Sequence, residues 1–316
     1  MNRGEELLLA YLLDLVLGDP PWLPHPVVGI GRVIGAGEAL LNRPGRGPRF
    51  LLLSGAALTA AVVLGIWGVG AGTLAMAGHL GEPVRAAVSI LLLYTALAGT
   101  GLARAGEAVR RPLAAGDLDA ARGQLARYVG RRTEGLPAAE VARGAVETVA
   151  ENTVDGFLAP LFYGLVGGAP LALAYKAVNT LDSMLGYHDP RHRWFGRAAA
   201  RLDDAANYLP ARLGAAVMLA AGALLRLDVV GGVRAVLRDA RRHPSPNAGY
   251  PEAAAAGLLG VRLGGENRYA DAVESRPCLG AQGRAPDAEA LAGVVALCRW
   301  SALLGAVLCA AVGWAA

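Results

Sequence analysis

Acidic and amide side chains bracket an apolar run near the middle of the chain, and together they offer oxygen-ligand chemistry. Asn152-Thr153-Val154-Asp155 stands on one side and Asn179-Thr180-Leu181-Asp182 on the other. Gly167-Gly168-Ala169-Pro170, a combination that turns a chain, lies at the midpoint of the two aspartates. A helical hairpin with its apex there would bring Asp155 and Asp182 level at its mouth. Its arms of about 13 residues would span about 20 Å, short of the ~30 Å hydrocarbon core. That fits a re-entrant or protein-buried hairpin, while a single Gly/Pro-kinked span of about 25 residues is the other reading. Carboxylates bordering strongly apolar sequence are costly, which points to function.

Further acids extend the constellation. Glu147, Glu151 and Asp155 fall at i, i+4 and i+8, so one helix face presents three carboxylates that repel unless a cation such as Mg²⁺ sits among them. Asp203-Asp204 and Asn207, flanked by Arg201 and Arg212, combine carboxylates for a metal with cations for phosphate, or else mark an acid-rich helix start. Asp14, Asp19 and His25 share a proline-rich loop that can hold side chains rigidly towards a ligand. Ser245-Pro246-Asn247-Ala248-Gly249 with Glu252 allows close backbone approach beside charge. His188 and His192 lack a third ligand in zinc spacing. No common phosphate-loop, dinucleotide or serine-hydrolase motif occurs, so an ATP site here is of an uncommon kind.

The elements that must position these residues are membrane helices. The 316 residues are 54% hydrophobic and only 18% charged, with mean hydropathy +0.38, too apolar for a soluble domain. Five stretches can enter a bilayer: 50–77, 84–103, 155–182, 209–227 and 291–315. Residues 7–17, short and interrupted by Asp14, read as a buried or interfacial helix without a signal-peptide cleavage site. Residues 104–150 read as soluble-side helices, with Pro137 opening the last of them. Residues 228–290 turn polar and Pro/Gly-rich and read as an extended loop region, all within one membrane-embedded domain, 1–316. Lys176 is the one lysine, and the net charge of +4 rests on arginines crowded into loops. These mark cytoplasmic loops and phosphate ligands; without a basic stripe interleaved with aromatics, no nucleic-acid partner is expected. Cys278, Cys298 and Cys309 show no ligand spacing and read as reduced, buried thiols.

Taken together, these blocks resemble the adenosylcobinamide-phosphate synthase family, integral-membrane amide ligases of cobalamin biosynthesis. The resemblance rests on Asp14-x3-Gly18-Asp19-Pro-Pro with Pro24-His25-Pro26-Val27, and on Glu147-Thr-Val-Ala-Glu151-Asn152-Thr-Val-Asp155-Gly156 with Ala159-Pro160-Leu161-Phe162-Tyr163. It continues through Tyr175-Lys176-Ala-Val-Asn179-Thr-Leu-Asp182-Ser183-Met184, Arg201-Leu-Asp203-Asp204, Pro210-Ala-Arg212 and Ser245-Pro-Asn247-Ala-Gly249, in family order along nearly the whole chain. His188-Asp189 and Tyr250 depart from the family pattern and bear on fine substrate contacts.

The resemblance implies an all-α polytopic protein of the cell membrane, with its active site facing the cytoplasm. It would condense adenosylcobyric acid with aminopropanol phosphate, or a close amino-alcohol or threonine phosphate, using ATP and Mg²⁺. Its partners would be the corrinoid, the amine and the bilayer, with a homo-oligomer left open. Fitted to that chemistry, Glu151, Asp155, Lys176, Asp182 and Arg201 are the expected catalytic residues, and Asp19, His25, Asn152, Asn179, Arg212, Asn247 and Glu252 the substrate and phosphate ligands. Glu151, Asp155, Asp182 and Asp203 are the expected Mg²⁺ ligands. Two rival classes place carboxylates similarly. An intramembrane Mg²⁺-dependent transferase would carry Asp-x2-Asp-Gly-x2-Ala-Arg, which is absent. A broken-helix transporter would need no phosphate clamps.

Overall fold

In the computed structural model, residues 1–20, 25–187, 189–268 and 273–315 are described. Pro21, Trp22, Leu23 and Pro24 of the N-terminal proline loop, His188 and Tyr269 lie outside them. The first helices are α1 (Arg3–Leu17), α2 (Pro26–Leu41), α3 (Pro48–His79), α4 (Glu82–Ala96), α5 (Gly99–Ala114) and α6 (Leu118–Leu125). After them come α7 (Ala138–Thr153), a π-turn (Val154–Leu158), α8 (Ala159–Leu185), α9 (Arg197–Ala206) and α10 (Tyr208–Leu224). The remainder is α11 (Val229–Asp239), α12 (Gly249–Leu259), a two-stranded antiparallel ribbon of β1 (Leu263–Arg268) and β2 (Val273–Leu279), and α13 (Ala288–Ala315).

Among the described residues, four stretches are long and apolar enough to cross a membrane: Pro48–His79, Glu82–Ala114, Ala138–Leu185 and Ala288–Ala315, with Tyr208–Leu224 a shorter fifth. α3 leaves Leu53, Leu64, Val69 and Met76 exposed, a helix apolar all round whose outer face needs lipid. The chain is an all-α, multi-pass membrane protein. Chain contacts divide it into two compact units, Met1–Ala98 with Ala159–Asn207 and Ala306–Ala316, and Gly99–Leu158 with Tyr208–Gly305.

In the first unit, α8 is two helices rather than one. Gly168 has φ 70° and ψ −168°, a conformation closed to side-chain-bearing residues. The Tyr163 and Tyr175 rings stack with centroids 5.0 Å apart, where twelve residues of straight helix would hold them about 18 Å apart. The chain therefore folds back at the Gly-Gly-Ala-Pro apex, and the single kinked span is the reading that fails. Arg3 donates to the carbonyl of Val166 at 2.8 Å, capping the end of the first arm with a cation. The second arm packs Ala177, Leu181 and Leu185 against Ile30, Ile34, Leu58, Val62 and Phe195, which joins α2, α3 and the approach to α9 around one core. α1 is held by Ser89, which donates to Glu6 at 2.6 Å, and by the close approach of Gly4 to Ala310.

The second unit corrects the extended-loop reading of residues 228–290, which hold α11, α12 and the ribbon. α11 and α12 cross backbone to backbone at Gly231 and Gly257, where a Cβ would collide with the facing chain. Asp228 caps α11 by accepting from Gly231 N at 2.8 Å, and Pro251 sits in the first turn of α12, where its missing N–H costs nothing. The ribbon pairs Asn267 with Glu274 and Gly265 with Arg276, with a bulge between Leu263 and Gly265.

Candidate active site

The first unit gathers an acid and amide cluster around α9. Asn207, buried at the end of α9, donates to Asp203 Oδ2 at 3.0 Å and accepts from the Tyr175 hydroxyl at 2.8 Å. Tyr163, stacked on Tyr175, donates to the carbonyl of Ala206 at 2.8 Å, so both arms of α8 grip the same helix end. Asn179 from the second arm also hydrogen-bonds Asp203. The other oxygen of Asp203, Oδ1, is buried without a hydrogen-bond partner. Burial, then the charge of Asp182, pushes the Asp203 carboxyl up to about 7 against the hydrogen bonds from Asn207 and Asn179. Two carboxylates in one site, one with an orphaned oxygen, are a donor set that a hard divalent cation relieves. Arg201 of the same helix is exposed, and Lys176 lies one and a half turns before Asp182. His25 caps α2 by accepting from Val27 N at 3.3 Å and faces Asp19 at 3.9 Å. Burial lowers the His25 ring below its usual value, Asp19 opposes this and Lys176 adds to it. His192 is spent on Asp189 at 2.7 Å and Glu38 at 3.1 Å, tying a loop to α2.

The second unit gathers glutamates against arginines. Glu147, expected as the first of three like charges, is instead neutralised. Its Oε1 accepts from Arg143 at 2.9 Å and from Gly264 N at 2.9 Å, and its Oε2 from Arg131 at 3.1 Å. Arg143 also pairs with Glu140 at 2.6 Å and donates to the carbonyl of Glu266 at 2.8 Å, which docks the ribbon onto α7. Asn267 accepts from both Arg131 and Arg143. Asp155 falls in the π-turn, where the i, i+4 repeat no longer holds, so the uninterrupted three-carboxylate face is corrected. Among the described residues, no three His, Cys, Asp or Glu side chains converge in a metal-binding group.

Two cavities open in this lattice, sharing Arg131 and Asn267. One of about 820 Å³ is lined by Arg131, Arg132, Arg143, Glu134, Glu140 and Glu266 among others. One of about 190 Å³ is lined by Glu147, Glu151, Asn152, Glu252 and Arg276 among others. Glu252 is 2% exposed; burial, then the charges of Glu147 and Glu151, push its carboxyl well above the usual range, with Arg276 and Arg131 opposing. Asn152 donates to the carbonyl of Thr148 at 2.9 Å. Arg212 lies between two rings, 3.5 Å from the Tyr208 centroid and 4.3 Å from that of Tyr250, and donates to Asn247 at 3.3 Å. It thereby clamps the Ser245-Pro246-Asn247 loop.

The structure thus brings Glu151, Asn152 and Glu252 to one cavity, and Asn179, Asp182 and Asp203 to one cluster, while sequence reasoning passed over Arg131, Arg132, Arg143, Asn267 and Arg276. The signal was present for one of these: Glu140, Arg143 and Glu147 are an i, i+3, i+7 ladder of alternating sign.

A family model described as CobD/Cbib protein matches residues 7–298. Cobalamin biosynthesis protein CobD of Geobacter metallireducens is 48% identical over 301 residues, covering 94% of this chain and 92% of its own. Cobalamin biosynthesis protein CobD of Klebsiella pneumoniae subsp. pneumoniae is 47% identical over 272 residues, covering 86% and 85%. Cobalamin biosynthesis protein CbiB of Salmonella typhimurium is 45% identical with the same coverage. No solved structure matches the chain. The resemblance read from the acid and amide blocks is thus matched across most of the sequence, and the chain belongs to the CobD/CbiB family.

Proposed function

We propose that this protein acts in cobalamin biosynthesis as an ATP- and Mg²⁺-dependent amide ligase, joining adenosylcobyric acid to aminopropanol phosphate or a close amino-alcohol phosphate. The product would be adenosylcobinamide phosphate. Beside family membership, one observation carries the reading: an arginine-lined cavity shares two walls with a small acidic one inside a single unit. A carboxylate is inert towards amines until one oxygen is made a leaving group. Transfer of the terminal phosphoryl of ATP to that oxygen gives an acyl phosphate and ADP. Attack by the neutral amine then forms the C–N bond, expels phosphate and releases a proton. Arg132 on the larger cavity's wall would clamp phosphate oxygens, with Arg131 and Arg143 held beside it by Glu147 and Glu140, since a planar guanidinium matches phosphate and keeps its charge at every working pH. Asp182 and Asp203 of the first unit, with Asn179 beside them, and Glu151 and Asp155 of the second are the carboxylates proposed for Mg²⁺. When bound, the ion would screen phosphate charge and favour phosphoryl transfer.

The eight arginines from Arg104 to Arg143 support a cytoplasmic side of the cell membrane for that segment and for the active site with it. The test is to incubate detergent-purified protein with cobyric acid, aminopropanol phosphate, ATP and Mg²⁺, following ADP and the corrinoid mass. Amide and ADP in equal amounts are expected. Amide formed equally well without nucleotide would overturn the acyl-phosphate route. Cysteines introduced at 104–150 should resist impermeant labels in intact cells, and outside labelling would reverse the orientation.

A further inference from the structure

We propose that the cavity of about 190 Å³ is a subsite for a primary ammonium, with Glu252 as its anionic acceptor and His243 as the residue positioning that carboxylate. The assignment deepens the amide-ligase reading and rests on it for the identity of the amine, though not for the chemistry of the pocket.

Three of the lining groups differ in the hydrogen-bonding capacity they have left. Glu147 has both oxygens engaged by Arg131, Arg143 and Gly264 N. The Asn152 amide nitrogen is committed to Thr148, which leaves its side-chain oxygen as an acceptor. Glu252 is 98% buried, taking its 2% exposure from the whole, yet its Oε1 has no hydrogen-bond partner. A buried oxygen in that state costs stability unless a ligand completes it.

His243 stands behind this oxygen. Its Nδ1 accepts from Ser245 N at 3.1 Å, so the neutral ring carries its proton on Nε2. Nε2 is also buried without a hydrogen-bond partner and lies 3.7 Å from Glu252 Oε1, too far for a hydrogen bond but close enough to orient the carboxylate.

The charge count selects the guest. Glu147, Glu151 and Glu252 line the cavity against Arg131 and Arg276, and Arg276 is also claimed by Glu274 at 3.5 Å, so the lining carries an excess of acids. Arg143, which reaches Glu147 from outside the cavity, is matched by Glu140. A cationic guest relieves that excess. Glu147 is spent and no three acids converge among the described residues, so a metal at Glu151 would draw its other ligands from outside this cavity. An ammonium needs three acceptors, and Glu252, Glu151 and the Asn152 carbonyl supply them. An ammonium bound there also offsets the two neighbouring negative charges that lift the Glu252 carboxyl.

The experiment compares aminopropanol phosphate with propan-2-yl phosphate, the same phosphate ester without nitrogen, by titration calorimetry on the detergent-purified protein. Neither ATP nor corrinoid is added. The wild type should prefer the amine by about 30-fold, the loss expected when one charge-assisted partner is removed. Glu252→Gln should bring that ratio below about 3-fold without weakening the nitrogen-free ester, and His243→Gln should lower it about 5-fold. An unchanged ratio in Glu252→Gln overturns the assignment. If Glu252→Gln does not fold, His243→Gln decides, and an unchanged ratio there overturns it equally. Failure of the wild type to form amide with ATP would remove the ligase reading instead, while the ratio still decides the subsite.

Discussion

Glu147 and Asp239 of the second unit and Asp203 of the first show opposite fates for a carboxylate taken out of water. In the second, Glu147 meets two arginines and a backbone N–H, and Asp239 meets Arg238, Arg242 and Gly280 N. Every one of those charges is closed by the chain itself. In the first unit Asp203 has amides and tyrosines around it, a second aspartate near it and an oxygen with no hydrogen bond, and its carboxyl rises to about 7. A carboxylate compensated from within belongs to the scaffold. One left uncompensated, at a cost in stability, is completed by something the chain does not contain.

The strongest way to break this contrast is Glu147→Gln. It strands Arg131 and Arg143, both under a tenth exposed, with half their counter-charge gone. Loss of one partner from such a buried network should lower stability by about 3–5 kcal/mol. Thermal unfolding in detergent should show this at every Mg²⁺ concentration. A normally stable variant whose Mg²⁺ requirement shifts would instead make Glu147 a metal ligand and the contrast false.

Asp203→Asn and Asp182→Asn should behave the other way round. Each keeps its shape and removes one of two neighbouring like charges, so stability without Mg²⁺ should hold or rise. Turnover per folded molecule should drop on the order of 10²-fold, with partial rescue at high Mg²⁺. Near-normal turnover in both variants would sink the metal-site reading.

The same contrast explains what could be read before the fold was known. Membrane class followed from composition, and the apex at Gly168 from the one residue type that tolerates its dihedrals. Asp182, Asp203 and Asn179 stood out because acids and amides beside apolar sequence are costly. The arginine lattice was harder to see because its partners are far apart in sequence: Arg131 reaches Glu147 and Asn267, and Gly264 closes the same carboxylate from the ribbon. The ribbon itself carries Gly264 and Gly265 where alternation would need side chains, so its order comes from docking on Arg143 rather than from strand propensity. α12 was masked by Pro246 and Pro251, which read as loop until Pro251 is seen in a first turn.

Asp239 sharpens the contrast through pH. Hydrogen bonding from Arg238, against the effect of burial and aided by Gly280 N, holds its carboxyl below the usual range. A depressed folded value means stabilisation that is complete above the unfolded value of about 3.9 and lost as pH falls through the lower folded one. Asp239→Asn should therefore cost about 1.5–3 kcal/mol at pH 7 and progressively less below about pH 4. A cost that stays constant down to pH 3 would mean that packing, not charge, is what Asp239 supplies.

The smallest effect tests Arg212, whose residue type fits both a phosphate ligand and a scaffold clamp. Its geometry favours the clamp. Tyr208 and Tyr250 stack against the guanidinium, and its nitrogens donate to the carbonyl of Tyr208, to Asn247 and more distantly to the carbonyl of Pro246. Lysine keeps the charge but loses the plane and the fork, so Arg212→Lys removes the stacking while leaving a cation able to meet phosphate. A clamp predicts about 1 kcal/mol of lost stability and faster proteolysis at Ser245–Asn247, with the KM for ATP within about threefold of wild type. A phosphate ligand predicts unchanged melting and a KM for ATP raised about tenfold, since a bidentate contact worth about 1.4 kcal/mol has gone. Measuring melting and KM on one preparation separates the two. The second outcome would make Arg212, like Glu252, an uncompensated, ligand-seeking charge in the unit where Glu147 and Asp239 are closed by the chain.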